Sequence, residues 1–127
     1  MGRHSLRDGQ AIGKMITQGL TKKIISINNS NNVYRGYLNT DDLVDWLIII
    51  LKNSDKSCPI FNVGSDRAIN IKLLGKKIAK IFNKKFELKK RKIFETDYYI
   101  PSINKAKNLL KLKISINLND SLNSFIK

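Results

Sequence analysis

Apolar positions recur along the chain in two periods, and the switches between them mark its elements. From Gln10 to Leu20, residues Ala11, Ile12, Met15, Ile16 and Leu20 fall at helical spacing, and Gly19 weakens the helix end. "KIISI", Lys23 to Ile27, reads as a short strand, followed by "NNSNN", a turn rich in residues that tolerate left-handed backbone. "VYRGYL", Val33 to Leu38, reads as a second strand. Its alternation puts Val33, Arg35 and Tyr37 on one face and Tyr34, Gly36 and Leu38 on the other. Thr40-Asp41-Asp42 then opens a helix. Thr40 or Asp41 can cap the free backbone N–H groups, and the acidic pair suits the positive end of the dipole. Leu43, Val44, Trp46, Leu47, Ile50 and Leu51 give this helix a broad apolar face, which predicts that it is largely buried.

The same reading continues to the C-terminus. "PIFNVG", Pro59 to Gly64, predicts a strand that meets a glycine turn. Asn70 caps the next helix, in which Ile71, Leu74, Gly75, Ile78 and Phe82 line one face and lysines fill the rest. "FELKKRKIF" predicts a strand or extended segment. Pro101-Ser102 begins a short helix that runs through Leu110, and Asn117 or Asn119 begins a last one. No internal repeat is present. The pattern is mixed α/β, with short strands between helices.

Composition narrows the partners. The 127 residues suit one domain with enough chain for a core. The formal net charge of +14 is carried mostly by lysine, in a chain also crowded with asparagine and isoleucine. Those three residues share A/T-rich codons, so codon bias accounts for the charge without a polyanion. Base reading favours arginine, which makes nucleic acid the lesser expectation. It is kept as an alternative, a small basic nucleic-acid-binding protein that uses the Lys84–Lys92 cluster. No apolar run is long enough to span a bilayer, and the polar N-terminus shows no apolar stretch of a secretory signal. The expectation is a cytoplasmic protein with no membrane partner. One cysteine, Cys58, and one histidine, His4, make neither an internal disulfide nor a zinc site, and Cys58 is expected to be buried or half-buried.

Catalytic motifs do not assemble. "GQAIGKMIT" falls one residue short of the spacing a phosphate-binding loop needs between Gly9 and Gly13, and Met15 stands where that loop has Ser or Thr. No glycine-rich dinucleotide fingerprint occurs, and no tyrosine has a lysine four residues later. Arg35 is the residue that stands out. In a chain that draws most of its charge from lysine, it places a planar fork of donors on an apolar strand between Tyr34 and Tyr37. Such a fork fits a phosphate or carboxylate bidentately.

The order of "IGKMITQGL", "IISI", "YRGYLNTDDLVDWLIIIL", "PIFNVGSDRAINIKLLGKKIAKI" and "YYIPSINKAKNLLKLKISINLNDSL" resembles the C-terminal part of extended short-chain dehydrogenase/reductase enzymes. These are the NAD-dependent nucleotide-sugar epimerases and dehydratases. The resemblance runs from about Gly9 onward. It implies a polar N-terminal tail, 1–8, and a partial nucleotide-sugar-binding domain, 9–127. It also implies that Arg35 contacts the diphosphate of a nucleoside-diphosphate sugar, and that Lys92, or Arg91 beside it, completes the clamp. Ile25 and Ile27 would lie along the base. Gly75 would serve close helix packing, while Asn62 and Gly64 would build a turn. In the family, the NAD fingerprint and the catalytic Tyr-x-x-x-Lys belong to an N-terminal Rossmann half. Neither motif is in these residues, so the chain is expected to have no catalytic residue, to bind no NAD alone, and to depend on a separate catalytic half.

Overall fold

A computed structural model describes residues 11–28, 32–89 and 96–126. The expected tail, 1–8, and both Arg91 and Lys92 lie outside the described residues. The elements run α1 (Ala11–Thr21), β1 (Ile24–Asn28), β2 (Val33–Gly36), α2 (Thr40–Lys52), β3 (Ala68–Asn70), α3 (Ile71–Ile81), β4 (Lys85–Lys89), β5 (Asp97–Tyr99), α4 (Asn104–Leu110) and α5 (Leu118–Asn123). The fold is mixed α/β, as the periodicity predicts. β1 and β4 form a parallel pair in which Ile25 stands opposite Phe86 and Ile27 opposite Leu88. β3, β2 and β5 form a three-stranded sheet with β2 in the middle.

The chain divides into two compact units. In the first, whose described residues are mainly 11–28, 32–34, 69–89 and 96–98, helices α1 and α3 pack on β1, and α3 also packs on β4. Its buried apolar residues include Met15, Ile16, Ile25, Leu74 and Ile78. Asn70 caps α3 as expected, its side chain accepting the N–H of Lys72 at 2.9 Å. Gly75 is a true contact residue. A Cβ built there would lie 2.4 Å from the Phe86 ring, so any larger residue makes that ring or α3 shift.

In the second unit, 35–68 with 99–125, Trp46, Ile103, Ala106 and Leu112 form the core, with Ile50, Phe61, Val63, Leu110 and Ile114 against it. The Trp46 indole N–H donates to the Lys113 carbonyl at 2.9 Å, so its one polar atom is satisfied. The helix start is built differently from the sequence expectation. Asn39, not Thr40 or Asp41, caps α2: its Oδ1 accepts the Asp41 N–H at 2.8 Å, and its Nδ2 donates to Ser121 Oγ at 2.8 Å. Asp42 is freed for another task. Its buried carboxylate accepts the backbone N–H groups of Ser115 and Ile116.

Three further local expectations fail. α2 is not largely buried: within it only Asp42 and Trp46 are, while Leu47 is 51% and Leu51 73% exposed. Periodicity marks which positions are apolar, not whether anything covers them. Residues 59–63 do not form a strand. They run as a loop held by side chains, with Lys105 Nζ donating to the Ile60 carbonyl at 2.9 Å and Asn62 Nδ2 to the Ser102 carbonyl at 3.0 Å. Cys58 is exposed, at a φ of 48°.

Candidate functional site

The residues singled out from the sequence fall into two places, one in each unit. Arg35 sits on β2, half-buried. Burial holds the Tyr37 phenol above its usual pKa, and the positive charge of Arg35 pulls the other way. Arg35 is therefore the charge that acts on this phenol. The strand beneath them is fixed by contact. Gly36 lies so close to the Ser65 carbonyl that a Cβ there would stand 2.0 Å from its oxygen. Ser65 is itself buried, and its Oγ accepts the Arg67 N–H at 3.2 Å. Arg35 is thus carried on a backbone that cannot drift toward its neighbour, which suits a positioned charge.

The first unit carries a cavity of about 430 Å³ at the open face of α1 and β1. Lys14, Gln18, Ser26, Ile27 and Lys89 are among its walls. Gln18 Oε1 accepts the Ser26 N–H at 2.8 Å, which ties the helix to the strand. Of the two isoleucines expected along a base, Ile27 lines this cavity, whereas Ile25 is fully buried in the core. An apolar side chain beside an amide and two ammonium groups can take a flat ring that bears an anionic group. Gln18 was not read from the sequence as a site residue. A signal for it exists: Ala11, Met15 and Gln18 share one helical stripe, and Gln18 is its polar member.

Of the basic run Lys84–Lys92, the described part forms β4 and the residue before it, with Lys85, Glu87 and Lys89 exposed and Phe86 and Leu88 half-buried. Among the described residues no three His, Cys, Asp or Glu side chains gather to hold a metal ion, and no helix is long and apolar enough to cross a membrane. At the start of α2 the Asn39 side chain accepts one backbone N–H, with acidic Asp41 and Asp42 behind it, and at α3 the Asn70 side chain accepts another.

No protein-family model matches the chain, and no curated protein sequence matches it. Solved structures do. RMD from Pseudomonas aeruginosa, complexed with NADPH, superposes with a TM-score of 0.76 at 18% identity, over 94% of this chain and 41% of its own. UDP-glucose 4-epimerase from Thermotoga maritima, with UDP-glucose, gives 0.74 at 20% identity, over 92% and 38%. The dTDP-glucose 4,6-dehydratase of Bacillus anthracis, in complex with NAD, gives 0.80 at 16% identity, over 99% and 40%. The likeness is one of fold. The chain is a partial mixed α/β fold, and the fold is part of that found in NAD-dependent nucleotide-sugar epimerases and dehydratases, as the resemblance of its motifs implies. It spans about two-fifths of the length of these structures.

Proposed function

We propose that the chain is the nucleotide-sugar-binding portion of an NAD-dependent epimerase or dehydratase. In this reading Arg35 grips the diphosphate, Arg91 or Lys92 assists, and Ile27, with Ile25 behind it, lies along the base. The substrate is a nucleoside-diphosphate sugar. Hydride chemistry and NAD belong to a catalytic half, and the chain alone turns over nothing. Its setting is cytoplasmic.

The observation that supports the reading is that nearly the whole chain superposes on part of a sugar-nucleotide enzyme, combined with an arginine on the central strand β2. A fork-shaped donor on a fixed strand is pre-organised for a diphosphate, and the flexible lysines elsewhere are not.

The test is thermal unfolding of the full chain with nucleoside diphosphates. A ligand at a hundredfold excess over its Kd stabilises by about 2.7 kcal/mol. A clear rise in melting temperature is expected, and Arg35→Ala is expected to remove it. A rise that survives Arg35→Ala would discard the assignment of Arg35. No rise with any nucleoside diphosphate would discard the reading.

A further inference from the structure

The second unit carries a cavity of about 460 Å³ that the reading above does not use. Its charged lining is Arg67, Lys107, Lys111 and Lys113 against one carboxylate, Asp66. That carboxylate is engaged: Lys107 Nζ pairs with Asp66 Oδ2 at 2.5 Å. Arg67, Lys111 and Lys113 are left facing one hollow with no second carboxylate in its wall among the described residues.

The segment that carries two of them is pinned at successive residues. Leu112 is buried in the core beside Trp46, the Lys113 carbonyl accepts the Trp46 indole, and the Ser115 and Ile116 N–H groups are held by Asp42. Lys111 and Lys113 therefore extend outward on either side of an anchored Leu112. Lys111 closes α4 in left-handed backbone, at φ 55° and ψ 26°. Glycine is the favoured residue there, and any other costs free energy. A lysine in that position gives up local stability and puts an ammonium group at the cavity.

We propose that this cavity binds a phosphate dianion, free or as the head of a phosphomonoester. The Arg67 fork and the Lys111 and Lys113 ammonium groups would supply charge-assisted hydrogen bonds, and Ile114 an apolar wall. A solvated lysine-rich surface is the competing account. It predicts only a response to ionic strength, with no saturation.

The experiment titrates inorganic phosphate into the full chain at constant ionic strength and follows backbone amide shifts. Saturable shifts confined to residues 66–67 and 107–114 are expected. Arg67→Ala is expected to weaken binding by about tenfold. Lys111→Gly separates binding from folding: glycine suits the left-handed site, so its melting temperature should hold or rise while phosphate affinity falls. Arg35→Ala should leave phosphate binding intact, so this proposal and the one for β2 fail independently. Non-saturating shifts, unchanged affinity in both cavity variants, or loss of phosphate binding in Arg35→Ala would each overturn it. Phenyl phosphate supplies the second arm: binding tighter than inorganic phosphate assigns the site to an ester, and weaker or equal binding assigns it to the free ion.

Discussion

The Asp42 carboxylate accepts the backbone N–H of Ile116 at 3.0 Å, across 74 positions of sequence. It also accepts the Ser115 N–H, at 3.2 Å to each oxygen. One buried acid thus ties the first turn of α2 to the segment that leads into α5. Asp42→Ala would leave two amides without their acceptor, and Asp42→Asn would replace one of the two accepting oxygens with an N–H donor. We expect Asp42→Ala to cost about 2 to 3 kcal/mol and Asp42→Asn less. Urea unfolding measures both. A loss no larger than that of a surface substitution would mean that water replaces the carboxylate at no cost.

Arg35 and Tyr37 predict a pH dependence. Burial raises the folded pKa of Tyr37 above its ordinary value of 10.0, despite the opposing charge of Arg35. The folded state therefore holds this proton more tightly than the unfolded chain does. The associated stability is fully present below pH 10 and is lost as pH rises from there through the folded pKa. Tyr37→Phe should remove that alkaline limb. Arg35→Ala should move the tyrosine titration to still higher pH, which ultraviolet absorbance follows directly. An unmoved titration would place the guanidinium away from the ring.

Gly36 and Gly75 should respond unequally to alanine. At Gly36 the new methyl meets a backbone oxygen, which cannot swing aside, so β2 or the Ser65 turn must shift. At Gly75 it meets the edge of the Phe86 ring, which is the end of a side chain and not backbone. Alanine also gains about 1 kcal/mol of helix propensity inside α3. Gly36→Ala should therefore lower the melting temperature more than Gly75→Ala. The reverse order would show that the β2 backbone is more yielding than its contacts indicate.

Much of this fold is legible in the chain, and the misses have physical causes. α1 announces itself through its period, and α3 and α5 through their caps, because Asn70 and Asn117 sit directly before helical runs and both accept an N–H from within the helix. Gly75 is readable as a packing glycine because it interrupts an otherwise apolar stripe. The α2 cap is misread because Asn39, Thr40 and Asp41 are all good caps in a row, and only the geometry selects one. β3 and β5 are three residues each, too short for a period-two signal to rise above chance. Arg35 stands out by residue type alone. The cavity at Arg67 and Lys111 does not, since its cations come from segments far apart in sequence and look locally like ordinary surface lysines.

The open side of α2 bears on how the chain behaves at high concentration. Leu43, Val44, Leu47, Ile48 and Leu51 are all exposed along the helix, and apolar patches of this kind are where chains stick to one another or to a partner. Solubility is therefore expected to be a gauge of how that side is covered.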